Sequence, residues 1–284
     1  MKKGIAILCL SNFFLFLFMG TAKAEAKFGF KLIGGLGYIG GGDLNVGLQG
    51  WSDIWNKEYN VPGITRSGGY QAFHLGFDLD VEFLFYITPK IALSLGTNYI
   101  QFSKSSELQL VEAGTTYKIS WHPKVSAIPI TLSLYYYLLN GKKMKLFLGV
   151  GTGYYLSKYT DTQHTVFLGD INDEYNTSAK GIGFHGGIGL EIPFSPHIAF
   201  IMETRGRHAS LSGFEGELKS SWMSSTSTTS GKLWFYEINA FDLGKFSIIT
   251  LENTKPVGAD ITNVNEAKID LSGFSAIAGF IFRF

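Results

Sequence analysis

The chain has 284 residues, is 15% aromatic, holds 35 glycines, 7 prolines and one cysteine, and sets 24 lysines and arginines against 23 acids. That balance gives no sign of a nucleic-acid partner, and a lone cysteine excludes a disulfide framework. After residue 24 no apolar run reaches the roughly 20 residues of a membrane helix, so in lipid this chain has to be a closed barrel, the other structure that satisfies its own backbone there.

Residues 1–24 read as a cleaved export signal. Lys2 and Lys3 precede an apolar run from Ile5 to Met19, and Ala22-Lys23-Ala24 is an A-x-A cleavage site. Cleavage after Ala24 removes Cys9 and leaves one unit, 25–284.

Along that unit apolar residues recur with the period of two that places them on one face of a strand. Phe28, Phe30, Leu32, Leu36 and Tyr38 oppose Lys31, Gly35 and Gly37 in a first strand. A second alternates Phe73 to Phe85 with His74, Gly76, Asp78, Asp80, Glu82 and Tyr86, and Thr88-Pro89-Lys90 turns it into a third, Ile91 to Tyr99. The fourth sets Ile128, Ile130, Leu132, Leu134, Tyr136 and Leu138 against Ala127, Thr131, Ser133, Tyr135 and Tyr137; Pro129 inside it predicts a bulge. Asn140-Gly141 is a hairpin signal, and beyond it Leu146 to Leu156 alternate with Lys145, Gly149, Gly151 and Gly153. That bare face expects bulky groups from other strands. Ile182 to Ile192 oppose Gly183, His185, Gly187 and Glu191 in a sixth strand; Ile198 to Thr204 oppose Ala199, Ile201, Glu203, Arg205 and Arg207 in a seventh. The Ser/Thr tract 220–230 reads as flexible. The tryptophans of the long connections, Trp51, Trp55, Trp222 and Trp234, read as loop packing or membrane-interface groups.

The final stretch, 271–284, places Phe274, Ala276, Ala278, Phe280, Phe282 and Phe284 on one face. On a soluble edge strand these rings would invite aggregation; in a membrane barrel they face lipid. Alternating aromatics behind an aromatic last residue resemble the terminal strand of bacterial outer-membrane β-barrels, and the strand pattern of the unit resembles the small OmpX/OmpW/OmpA-barrel class. The resemblance implies that Phe280, Phe282 and Phe284 are a membrane insertion signal for the barrel-assembly machinery. It also implies a multi-pass barrel in the outer membrane of a Gram-negative cell, among outer-membrane lipid and lipopolysaccharide.

The expected fold is therefore all-β, an antiparallel up-and-down transmembrane β-barrel of eight strands. Ten is the alternative if the hairpin between Leu233 and Leu251 enters the membrane, although its second arm falls short of the about 9 to 11 residues a spanning strand needs. Short turns after Ile87, Leu139 and Phe194 alternate with long loops near 41–69, 104–117, 158–180 and 212–270, which makes the long ones extracellular.

Inward parity collects His74, Asp78, Asp80, Glu82, His185, Glu191, Glu203, Arg205, Arg207 and Arg283, together with Lys31 and Lys145. An eight-stranded interior is about filled by its own side chains, and buried charge is costly unless paired. The reading is a lumen charge network that plugs the barrel and fixes its register, in a protein with a structural or surface-interaction role whose loops carry any extracellular ligand. The alternative is a narrow porin-like channel for small solutes or ions lined by the same groups. A remote third reading takes His208 and Ser210, with Glu215 as orienting carboxylate, as resembling the His-x-Ser pair of outer-membrane lipid A deacylases. The Leu-Ser-Gly after Ser210 departs from those enzymes. No catalytic residue, cofactor or metal is assigned: the six histidines lack zinc-ligand spacing. Gly34 to Gly42 is read as strand and loop without the helix that a phosphate-binding loop requires.

Overall fold

The computed structural model describes residues 27–166, 169–240 and 243–284, so the export signal lies outside the described residues. In chain order the elements are β1 (Lys27–Ile39), α1 (Asp43–Glu58), β2 (Ile64–Gly69), β3 (Leu75–Thr88), β4 (Ile91–Ser103), β5 (Ser106–Glu112), β6 (Thr115–Trp121), β7 (Lys124–Asn140) and β8 (Lys145–Val166). There follow β9 (Asp170–Pro193), β10 (Ile198–His208), β11 (Ser210–Leu211), β12 (Glu215–Trp222), β13 (Ser225–Ala240), β14 (Gly244–Glu252), β15 (Ile261–Glu266), β16 (Ile269–Asp270) and β17 (Gly273–Arg283).

Eight strands pair into a closed antiparallel ring: β1, β3, β4, β7, β8, β9, β10, β17 and back to β1. The β13–β14 hairpin stays outside it, paired with β12 and β15. Alternation sorts the side chains as in a barrel standing in hydrocarbon. Leu132 is 55%, Leu148 41% and Phe280 43% exposed on the outside, while Asp80 and Glu191 are fully buried within. Bare inner positions make room for rings from neighbouring strands. A Cβ on Gly149 would come within 2.7 Å of the Tyr135 ring, and one on Gly189 within 2.1 Å of Phe147.

No bulge forms at Pro129. β7 keeps one register with β8 through Ile128, Pro129 and Ile130, and the proline instead interrupts the ladder to β4 between the pairs Thr97–Ile130 and Ile100–Ala127. Its nitrogen has no hydrogen to donate to that side. The register shift of β7 falls between Tyr137 and Leu139, beside the hairpin turn.

The four long connections are not loops. β8 and β9 run on past the ring, where β6 pairs with β8 at Gln163–Val166 and β12 pairs with β9 at Ile171–Ser178. A second wall results, in the order β2, β5, β6, β8, β9, β12, β13, β14. Helix α1 touches both of its end strands. The Trp51 indole donates to the Ile249 carbonyl of β14 at 3.0 Å, and Ser52 accepts from the Tyr70 amide, just past β2, at 2.9 Å. Close approach to β14 depends on Gly50, where a Cβ would lie 1.8 Å from the Ser247 carbonyl oxygen. Inside this wall Leu44, Leu48, Phe73, Leu108, Trp121, Tyr159, Phe214, Leu233 and Ile249 form one dry core. Burying such a side chain contributes about 1.5–3 kcal/mol, which is why these segments order into a cap over the barrel mouth. Phe73, expected to face outward, is fully buried here. The Ser/Thr tract is the β12–β13 hairpin, turning at Met223, and Trp222 stands exposed at its tip.

A helix does therefore follow Gly40-Gly41-Gly42, contrary to the sequence reading. Its N-terminus is nevertheless occupied: the Asp43 amide donates to the Lys268 carbonyl at 3.0 Å, and the Asp43 carboxylate accepts from the Lys268 amide at 2.9 Å.

Candidate functional site in the barrel lumen

Strand parity alone carries charge into the ring from β1, β3, β8, β9, β10 and β17, because a one-residue slip would turn each of these side chains toward lipid. Lys31 on β1 lies directly across from Glu82 on β3. Its ammonium is 2.9 Å from Glu82 and 2.9 Å from Glu203 of β10. Arg205, two residues along, forks over three carboxylates: Asp80 at 2.5 Å, Glu82 at 3.0 Å and Glu203 at 2.8 Å. Tyr135 accepts from Lys31 at 2.9 Å and donates to Glu82 at 2.7 Å, and Ser94 donates to Glu82 at 2.5 Å.

Toward the cap, Asp78 pairs with Arg207 at 3.3 Å and accepts from Ser275 at 3.0 Å and Asn98 at 3.4 Å. Arg207 also donates to the Leu271 carbonyl at 3.1 Å. Toward the short turns, Glu191 pairs with Arg283 and, at 3.5 Å, with Lys145; Arg283 donates further to the Tyr86 hydroxyl at 3.2 Å. Among the described residues of the lumen, five cations and five carboxylates each have an oppositely charged partner. Ion pairs taken out of water hold only with such partners.

The two histidines stand apart from the ion pairs. His185 faces inward, half-buried, with Nε2 2.9 Å from the Ser133 hydroxyl. His74 does not enter the lumen at all. β3 begins one residue after it, its Nδ1 sits 2.8 Å from the Ile39 carbonyl, and its ring stacks at 5.1 Å on Tyr38, which is on the outer face. Sequence parity assigned Tyr135, Ser133 and Asn98 no role. For Asn98 the signal that could have found it was its place opposite Asp80; Tyr135 and Ser133 pair with Ala92, Ser94 and glycines, so only their inward parity marked them.

The network lies between apolar layers. Ile33, Leu84, Tyr135, Tyr137, Phe147, Ile201, Ile277 and Ile281 cluster around it inside the ring, and the gap beside Lys31 leaves no room for a water molecule. Above it the cap core closes the mouth.

His208, Ser210 and Glu215 are not brought together as a catalytic set. His208 Nδ1 lies 3.3 Å from the Ser272 hydroxyl, Ser210 pairs with Asp270 in the short β11–β16 ladder, and Glu215 bridges Lys232 at 3.3 Å. Among the described residues no cluster of His, Cys, Asp and Glu could hold a metal ion. Phe280 and Phe284 stand exposed on the outer face of β17 and just past it, with Phe282 half-buried on the same face.

A family model described as the outer membrane protein beta-barrel domain matches residues 11–240. No curated protein matches the chain. Among solved structures, the chain is similar to the outer membrane protein OprG from Pseudomonas aeruginosa. The two share 13% identity over 91% of this chain and 96% of that one, with a TM-score of 0.38.

Proposed function

The chain belongs to the outer membrane protein beta-barrel domain family, and from that premise we propose that this integral outer-membrane barrel is a sealed one that acts through its capped outer surface, without catalysis. The observation that carries the reading is the paired lumen. Removing one partner from a buried ion pair costs about 3–5 kcal/mol, so opening an aqueous path past Arg205 and Lys31 means breaking several such contacts and then crossing the dry cap core. The same balance of charges supports a structural role, because it penalises every alternative strand register. Interaction with an extracellular partner falls to the cap, whose ordered strands hold their side chains in place before contact, which lowers the entropic cost of binding.

Planar-bilayer recording of the full chain tests the reading. A sealed barrel gives no unitary steps at moderate voltage, and Glu203→Gln leaves that silence unchanged. Regular steps from the unaltered protein, with a size that shifts in Glu203→Gln, would instead establish the lumen as a channel.

A further inference from the structure

We propose that Lys124, Lys158 and Lys180 form a docking site on the outer wall for the phosphorylated headgroup of a lipid in the leaflet beneath the cap. The inference rests on reading the chain as an outer-membrane barrel. All three lysines are exposed and share outward parity with the apolar belt: Lys124 with Ile128 and Ile130 on β7, Lys158 with Tyr154 and Leu156 on β8, Lys180 with Ile182 and Phe184 on β9. Lys158 and Lys180 occupy the next outward position beyond Leu156 and Ile182, at the upper margin of the belt. A lysine stem there lies along apolar surface while its ammonium reaches the polar layer.

The register makes them neighbours. Lys158 pairs with Ser126 and Ser178, while Lys124 pairs with Thr160 and Lys180 with Leu156. Each lysine is therefore diagonal to the next, at a Cβ spacing of roughly 7–8 Å or less, and three long flexible arms can converge on one anion. The rungs between them offer hydroxyls and an amide, Ser126, Thr160, Ser178 and Gln101; the carboxylate next in register, Glu215 across from Ser178 on β12, is held by Lys232 at 3.3 Å.

Charge supplies the second observation. Lys118, Lys232 and Lys245, in the cap, each have a carboxylate partner. Among the described residues Lys124, Lys158 and Lys180 have none. Three like charges held on adjacent strands, with the flanking Glu215 already engaged by Lys232, are mutually repulsive, and an anion relieves that repulsion. A lipid fits better than free phosphate because Ile128, Leu156, Ile182 and Phe184 directly below offer its chains an apolar wall, which inorganic phosphate would not use.

The test uses the full chain folded in detergent micelles, with diphosphorylated lipid A as probe and retention read by native mass spectrometry. Each lysine near an anionic surface is worth about fivefold in affinity, so Lys124→Gln, Lys158→Gln and Lys180→Gln together are expected to weaken binding about 100-fold. Lys158→Gln alone reads the same effect at about fivefold. Substituting Lys90, Lys142 and Lys143, at the short-turn end, is expected to change nothing. Equal binding by the triple variant, equal binding of dephosphorylated lipid A, or displacement by inorganic phosphate at the same concentration overturns the proposal. Failure of the unaltered chain to show heat-modifiable migration on gels would instead remove the barrel reading beneath it.

Discussion

Replacing Arg205 with methionine keeps the volume of the side chain but strips three carboxylates of their shared cation. The consequences are unequal. Glu82 and Glu203 each retain Lys31 at 2.9 Å, whereas Asp80 loses the one ion partner it has among the described residues. The local set changes from two cations facing three carboxylates to one facing three. Summing three charge-assisted bonds at about 1.5–3 kcal/mol each would overshoot. The cost of stranding one buried partner, about 3–5 kcal/mol, is the better guide, so about 4 kcal/mol is expected. Adding Asp80→Leu restores the original charge balance, one cation against two carboxylates, and the double variant is expected to recover at least half of the loss. Urea unfolding of vesicle-inserted protein, followed by gel migration, measures all three. The reasoning fails if Arg205→Met lies within about 1 kcal/mol of the unaltered protein, or if the double variant costs the sum of its parts, since coupled neighbours must depart from additivity.

Asp161, above the membrane belt, is 2% exposed, and burial raises its carboxyl to about 6 despite hydrogen bonds from Gln163, the His122 amide and Tyr159. Because the folded cap holds this proton more tightly than the unfolded chain, the stability it contributes is complete below about pH 4 and lost as pH rises through about 6, a swing of about 3 kcal/mol. Amide hydrogen exchange around Tyr159 to Gln163 should show that slope, and Asp161→Asn should flatten it; a slope that survives refutes the assignment. Gly50→Ala forces a Cβ against the Ser247 carbonyl, so α1 is expected to lift from β14, the Trp51 hydrogen bond to Ile249 to break, and tryptophan emission to shift red. Trp121→Ala removes a ring that is 1% exposed and set edge-on to Tyr70. A loss of about 3–5 kcal/mol confined to the cap should leave the barrel protected while proteases cut β5 and β6. Cleavage within β7 or β3 would contradict that confinement.

The ring was legible because period-two alternation is written in the strands themselves. Phe83 and Glu82 cannot share a face, and the rung Lys31–Glu82 follows once both are assigned inward. The cap was less so. Leu44, Leu48, Trp51 and Trp55 recur at helical spacing within α1, but glycines ahead of them and the length of the connection masked the pattern. β5, β6 and β12 are short strands that each form one hairpin, but their second partners, β2, β8 and β9, are distant in sequence, and no local signal specifies such pairing. His74 shows the limit of parity, which holds only while the chain remains in the ladder; one residue before β3 begins, its ring turned outward to Tyr38. Pro129 shows another, for a missing donor can interrupt a single ladder without displacing a residue.

One hairpin, β8–β9, runs through both halves of this molecule. Every one of the 22 residues of β8 is matched to β9 from Lys145 to Val166, from the lowest turn to the outermost tip. A pull on its tip draws both arms the same way and so loads in shear, all together, the rungs that tie them to β7 and β10, and the tension arrives at Gly187 and His185 beside Arg205 and Arg207. Anything that grips the far end of the cap therefore holds a rigid handle anchored in the ionic centre of the barrel.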